Sequence, residues 1–264
     1  LRNFWAACGC LGGFSQGGAI GKVLANWMIN GDPGGDVLGL DVARYGSFAS
    51  DERYLRATTA QFYARRFVIS YPNEELPAAR PMKTSPSHDV LESEGAVFGV
   101  THAMETPQYF VPGGEAFTET PTLRRPDAAR FVAAEVEAVR NAAGVFDSSV
   151  YARYEVSGPG AVAWLDRLVA SRLPGIGRVR LAPMLSHSGR LMGDLTISRL
   201  GPDRFWLVGS YYLQDWHMRW FGGFLPVDGV CVRNISDAWT GFAISGPNAR
   251  ALMQRLVDQD MSNG

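Results

Sequence analysis

One fourteen-residue pattern occurs twice in this chain, and it restricts the fold more than any other feature. Val156-Ser157-Gly158-Pro159-Gly160-Ala161-Val162-Ala163-Trp164-Leu165-Asp166-Arg167-Leu168-Val169 returns as Ile244-Ser245-Gly246-Pro247-Asn248-Ala249-Arg250-Ala251-Leu252-Met253-Gln254-Arg255-Leu256-Val257. Each copy reads as a strand end, a Ser-Gly turn, a proline at the first helical position and an amphipathic helix. A duplicated strand–turn–helix unit implies pseudo-symmetry. By itself it carries no chemistry.

The surrounding pattern extends this reading. Short strands are expected at 150–156, 178–185, 190–198, 204–209, 229–234 and 240–245, alternating with helices at about 160–170, 211–222 and 247–257. That is an α+β arrangement. A helix from Asp127 is expected to bury Val132, Val136, Val139 and Ala143. Upstream, Ile20, Val23, Leu24, Trp27 and Met28 recur at helical spacing from Gly17, and Gly31 and Pro33 stop that helix. A second helix spans Asp51 to Arg66, and Phe67-Val68-Ile69-Ser70 reads as a strand. Residues 72–86 form a proline-rich loop, Val97 and Phe98 suggest another short strand, and 112–126 is the clearest linker.

Composition narrows the class. Of 264 residues, 46% are apolar and 19% charged, which excludes global disorder. A net charge of −1 gives no electrostatic case for nucleic acid or an anionic membrane surface. Cys8, Cys10 and Cys231 are too few for a disulfide framework and point to a reducing compartment. Residues 4–21 carry no charge, yet their six glycines with Ser15 and Gln16 make them too polar and flexible for a membrane span. The chain opens Leu1-Arg2-Asn3 with no signal-peptide pattern, and both ends read as cuts within a longer protein.

Two segments are candidates for chemistry. Gly9 to Lys22 is glycine-rich and leads into a helix, whose free amides and dipole favour an anion or an electron-rich oxygen. It matches neither a phosphate-binding loop of the GxxxxGK[ST] type nor a GxGxxG fingerprint, so close helix–sheet packing and cofactor contact both stand. In Leu191-Met192-Gly193-Asp194-Leu195-Thr196-Ile197-Ser198, strand alternation puts Leu191, Leu195 and Ile197 on one face and Asp194 with Met192, Thr196 and Ser198 on the other. Asp194 is either an ordinary solvated carboxylate or, facing a cleft, a partner for an amine or a protonated ring nitrogen. His88, His102, His187 and His217 lack metal-ligand spacing, so no metal site is expected. Leu213, Trp216, Trp220 and Phe224 form one helical stripe that suits a core, while Tyr211 and Tyr212 at the helix start suit contact with a flat ligand.

Taken in order, these segments resemble the dimethylglycine and sarcosine dehydrogenase family. The first matching stretch is Gly17 to Met28, followed by Gly31-Asp32-Pro33 and Asp41-Val42-Ala43-Arg44-Tyr45. The second is Tyr71-Pro72-Asn73-Glu74-Glu75 through Arg80-Pro81 and Lys83-Thr84-Ser85-Pro86, then Gly95 to Gly99 and Glu105-Thr106-Pro107. From Phe131 onward, Val139-Arg140, Gly144, Asp147, Ser157-Gly158-Pro159, Met184-Leu185 and Gly193-Asp194-Leu195-Thr196 are similar to the folate-binding aminomethyltransferase module related to the T-protein of glycine cleavage.

The resemblance implies an α+β layout. Residues 1–48 would end an FAD-dependent oxidoreductase domain, 49–112 would be its central domain, 113–126 a linker and 127–264 the start of an aminomethyltransferase-like folate-binding domain. It implies FAD and tetrahydrofolate as cofactors and a small N-methylated amine as substrate, with the flavin's electron acceptor unidentified. Gly9, Cys10, Leu11, Gly12, Gly13 and Phe14 would contact the flavin, with Gly17 and Gly18 starting the helix aimed at its pyrimidine edge. Leu185, Ser186 and His187 would border the folate pocket, and Asp194 would be the carboxylate near the folate nitrogen that captures the one-carbon unit. A bacterial cytoplasm or a mitochondrial matrix would follow. The alternatives are a folate-dependent aminomethyl- or methyltransferase without redox chemistry, and a non-catalytic folate-binding protein.

Overall fold

A computed structural model describes residues 4–262 other than Gly12 and Gly114. Its internal contacts divide the chain into two units, 1–44 and 45–264.

In the first unit, helix α1 spans Gly13–Asn30. The expected stripe is its half-buried face: Ile20, Val23, Leu24 and Trp27 are partly covered, while Met28 is exposed. Trp27 meets Trp5 edge-on, with ring centroids 5.7 Å apart. Gly31 ends the helix with φ +69° and its N–H donating a hydrogen bond to the Trp27 carbonyl, a conformation that costs a glycine little.

The second unit begins with α2, Glu52–Arg65, capped by the Asp51 carboxylate accepting from the Tyr54 amide at 2.8 Å. The strand expected at 67–70 does not form. Phe67, Val68 and Ile69 are exposed, and no neighbouring strand offers them a hydrogen-bonding edge. After the proline-rich loop come α3 (His88–Ser93), β1 (Ala96–Thr101) and β2 (Met104–Phe110). β1 and β2 form an antiparallel hairpin around His102 and Ala103, at φ +51° and +65°. Left-handed geometry at both turn positions matches the twist of the flanking strands.

Helix α4, Ala129–Asn141, packs on this hairpin through Phe131, which stacks on Tyr109 at 6.1 Å and meets Phe117 edge-on at 5.0 Å. Glu135, one turn on, accepts the Phe110 amide at 2.7 Å. The packed stripe is therefore Phe131, Glu135 and Val139, and Ala143 just beyond the helix is half-buried. The expected burial of Val132 and Val136 is overturned: at 39% and 44% exposure they lie on the outward side.

Strand β3 (Gly144–Asp147) leads to β4 (Tyr151–Ser157) and α5 (Ala161–Leu168). Then follow β5 (Val179–Leu185), β6 (Leu191–Gly201), β7 (Arg204–Ser210), α6 (Gln214–Phe224), β8 (Cys231–Asn234), β9 (Phe242–Ser245) and α7 (Ala249–Gln254). Five strands make an antiparallel sheet in the order β5-β6-β7-β4-β8, while β3 pairs only with β9. One face of the sheet carries Tyr154, Val156, Ala182, Met184, Leu195, Ile197, Phe205 and Leu207, all 1% exposed or less, against α5 and Phe221 of α6. In both copies of the repeat the proline lies in the turn two residues ahead of the helix, rather than at its first position.

Candidate functional site

The residues expected to border a folate sit on one hairpin. β5 and β6 pair Pro183 with Asp194 and Met184 with Gly193, then slip so that Leu185 opposes Leu191. Ser186 closes the turn by accepting the Arg190 amide on its hydroxyl and donating its own amide to the Arg190 carbonyl. His187 lies at the tip, its ring 6.2 Å from Phe224 of α6. Leu185, His187 and Asp194 are exposed and Ser186 is half-buried.

Alternation in β6 breaks at Gly193, whose φ is +152°. Leu195 and Ile197 point into the core as expected, but Leu191 is 64% exposed and Met192 packs inward in its place. Leu191 and Met192 thus exchange the faces the sequence pattern gave them, because regular alternation cannot run through that backbone kink.

The slip has a chemical consequence. Partners on an antiparallel pair share a face, so Asp194 stands among Leu181, Pro183, Leu185 and Leu191 on the outer side of the hairpin. Leu181 and Leu191 are more than half exposed, while Ala182 and Met184 fill the inner side. A strand facing water on one side normally alternates apolar and polar; from Leu181 to Leu185 β5 is apolar on both. A carboxylate at the margin of a flat apolar surface suits a planar, largely apolar ligand that offers one nitrogen. Leu181 and Pro183 had no role in the sequence reading, although the run Val179-x-Leu181-x-Pro183-x-Leu185 was a legible signal for them, and Leu191 was expected on the face of Leu195 and Ile197.

Behind Asp194 the packing is unusual. His217 of α6 is fully buried, with Nδ1 3.0 Å from the Tyr154 hydroxyl. Burial pushes the imidazole down to about 4, partly opposed by the Asp194 carboxylate, and raises the Tyr154 phenol well above its ordinary range. Both are therefore neutral near pH 7. Tyr211, for which contact with a flat ligand was expected, is instead buried and donates to Asp237 at 2.5 Å; Tyr212 remains exposed. In the stripe on α6, Trp216 and Trp220 are half-buried and Phe224 is exposed.

In the first unit, the helix begins at Gly13 rather than Gly17. The first-turn amides are those of Gly13 to Gln16, and Gly17 and Gly18 lie inside the helix rather than at its start. Gly12 lies outside the described residues. Cys10, Leu11 and Phe14 are exposed, and Gly9 holds φ +69°. A β-carbon added at Gly9, Gly13, Gly17 or Gly18 would meet nothing within 4 Å. Close helix–sheet packing among the described residues therefore does not explain these glycines, and the segment is open to a group from outside them.

A cleft of about 210 Å³ elsewhere in the second unit competes for attention, lined by Tyr54, Gln61, Glu75, Arg80 and Glu105 among others. Its guanidinium is already taken: Arg80 donates to both Glu105 oxygens, at 3.0 and 2.5 Å, and lies 3.5 Å from Glu75. His88 stacks on Phe98 at 4.4 Å, and Met104 is buried.

Comparison with known proteins bears on both segments. Residues 30–85 match the model of the FAD dependent oxidoreductase central domain. Mitochondrial dimethylglycine dehydrogenase from Rattus norvegicus is 31% identical over 270 residues, covering 100% of this chain and 31% of that protein. The mitochondrial pyruvate dehydrogenase phosphatase regulatory subunit from Mus musculus is 29% identical, covering 92% of this chain and 29% of that protein. The chain thus spans about a third of the length of these curated relatives. The crystal structure of glycine cleavage system aminomethyltransferase T from Bartonella henselae has the same fold over 66% of this chain and 43% of its own, with a TM-score of 0.55 and 24% identity. Residues 87–264, two thirds of the chain, match the GCVT N-terminal domain, and the chain belongs to that family.

Proposed function

We propose that the chain is part of an FAD-dependent N-methyl-amine dehydrogenase, acting on a dimethylglycine- or sarcosine-like substrate, whose one-carbon product passes to tetrahydrofolate. The observation that carries this reading is the Asp194 carboxylate at the edge of the apolar surface of Leu181, Pro183, Leu185 and Leu191. In this reading residues 1–48 end the flavin domain, 49–112 form the central domain, 113–126 link, and 127–264 begin the folate-binding domain. A mitochondrial matrix or a bacterial cytoplasm suits it, and no helix among the described residues is long and apolar enough to cross a membrane.

Each group has a definite task. Bound FAD would supply a two-electron acceptor for the N-methyl carbon. The N-terminus of α1, with its dipole, favours electron-rich oxygens, and the bare surfaces of Gly9, Gly13, Gly17 and Gly18 admit a flat ring at backbone distance. Cys10, Leu11 and Phe14 would line the same approach. On the hairpin, the outer leucines would cover the faces of a reduced folate and exclude water, with Ser186 and His187 at its rim. The Asp194 carboxylate would accept a hydrogen bond from the reacting folate nitrogen, orienting its lone pair and taking its proton as the new carbon–nitrogen bond forms.

Asp194→Asn in the protein that carries this chain tests the assignment. The expected result is amine-dependent flavin reduction at the normal rate, with methylene-tetrahydrofolate formation reduced about a hundredfold; unchanged formation removes Asp194 from the mechanism. The same measurements address a second reading, that of a non-catalytic regulatory protein, favoured by the 29% identity to a phosphatase regulatory subunit. Absence of any flavin spectrum from the protein carrying this chain would select that reading or a folate-only transferase. The isolated 264-residue chain is expected not to retain FAD, and tight stoichiometric binding by it would overturn this division of labour.

A further inference from the structure

Asp194 owes its direction to the two residues before it, and the start of α6 grips both. The Trp216 indole donates to the Met192 carbonyl at 2.9 Å. The next helix residue, His217, lies beneath Gly193: a β-carbon added there would sit 2.6 Å from its Nε2. At the neighbouring ring atom, a β-carbon on Gly209 of β7 would come within 3.0 Å of Cε1. The imidazole therefore occupies space that two glycines leave open, on adjacent strands, at the kink where β6 turns Leu191 out and Met192 in.

Its polar atoms are arranged with equal definition. Tyr154, itself fully buried on β4, pairs its hydroxyl with Nδ1 and is held edge-on by Phe221 at 5.2 Å. With that hydroxyl donating, the hydrogen of the neutral ring is on Nε2, facing Gly193. Nε2 has no hydrogen-bond partner. A phenylalanine would fill similar volume without burying an unpaired nitrogen, so packing alone does not account for a histidine here.

We propose that His217 is the positioning residue for Asp194, acting through Gly193 and oriented by Tyr154. It touches neither of the ligands considered above. It holds the β6 kink, and with it the angle at which the Asp194 carboxylate meets the outer face of the hairpin. This inference rests on Asp194 being the residue that serves folate chemistry, and its test separates the two claims.

In the protein that carries this chain, His217→Phe is expected to cut methylene-tetrahydrofolate formation about tenfold or more, since small misplacements of a reacting group are costly. Amine-dependent flavin reduction and calorimetric affinity for 5-formyltetrahydrofolate should stay within about threefold of wild type, because geometry rather than binding is lost. In an Asp194→Asn background the same change should cost nothing further, which a general loss of structure would not reproduce. Tyr154→Phe keeps the packing if His217→Phe fails to fold, and should lower formation in the same direction. It should also move the His217 ring signals in 15N spectra of the 264-residue chain away from the neutral Nε2–H form. Normal formation in both single variants, losses that multiply with Asp194→Asn, loss of 5-formyltetrahydrofolate binding, or a ring tautomer indifferent to Tyr154 would each overturn the proposal. A silent Asp194→Asn would instead remove the reading beneath it, an outcome distinct from a silent His217→Phe beside an inactive Asp194→Asn.

Discussion

Gly158 and Gly246 hold φ angles of +118° and +116°, and in each copy the amide three residues on returns to the glycine carbonyl, Ala161 to Gly158 and Ala249 to Gly246. The two copies of the repeat thus turn alike. They are buried very differently. Val156, Leu165 and Leu168 of the first copy are 7% exposed or less, whereas their counterparts Ile244 and Met253 are half-buried and Leu256 is 68% exposed. β4 sits between β7 and β8, with α5 on the core; β9 has only β3 beside it. A turn is set by a few neighbouring residues, while burial depends on partners supplied from far along the chain.

The largest test of that contrast is a pair of truncations. Leu165→Ala should cost about 2–5 kcal/mol by removing a fully buried side chain, and Met253→Ala about 1 kcal/mol or less. Urea midpoints of the two variants measure the difference, and similar losses would break it.

Acid sharpens the comparison from another side. His217, bonded to Tyr154 of the first copy's strand, is held down to about 4 by burial, against an unfolded value of 6.5. The unfolded chain therefore takes up this proton first. The stability contributed by the neutral ring is complete above pH 6.5 and declines by about 3 kcal/mol as pH falls to 4. Glu155, also on β4, is held at about 2 by hydrogen bonds from Arg233 and then Arg204, so its share is present above pH 4.5 and disappears toward pH 2. Hydrogen exchange at pH 7 and pH 5 should show the β4 amides losing protection on acidification, and His217→Phe should flatten the loss between pH 6.5 and 4.

The smallest effect concerns the turns themselves. A β-carbon at position 158 would lie 2.4 Å from the Gly229 carbonyl oxygen, and one at 246 would lie 2.5 Å from that of Ala142. Gly158→Ala and Gly246→Ala should therefore cost about the same, roughly 1–3 kcal/mol each, despite their unequal surroundings. A harmless Gly246→Ala would show that the second turn is imposed from outside rather than built in.

Much of this was legible in the residues. The strands from β4 to β9 other than β7's neighbour-dependent pairing, the helix α2 and the repeat itself follow from alternation and local side-chain chemistry. β2 was hidden because His102 and Ala103 make a left-handed turn without the glycine or asparagine that usually signals one. β3, Gly144–Asp147, was hidden because its pairing partner, β9, lies far along the chain. Val68 and Ile69 had strand composition and no strand to join. On α4 the hydrophobic pattern favoured Val132 and Val136, but Phe131 and Glu135 pack on the hairpin, and a helix can present only one stripe to one neighbour.

At the candidate site the division is the same. The sequence by itself determined that Leu185, Ser186, His187 and Asp194 lie on one short hairpin, and that a glycine precedes the carboxylate. Only the tertiary structure decided that Leu191 points outward, that Leu181 and Pro183 flank Asp194, and that a buried histidine fills the space behind Gly193. Hydrogen bonds and turn angles are settled among residues a few positions apart; which face of a strand is covered is settled by whatever packs against it, here a helix more than twenty residues away.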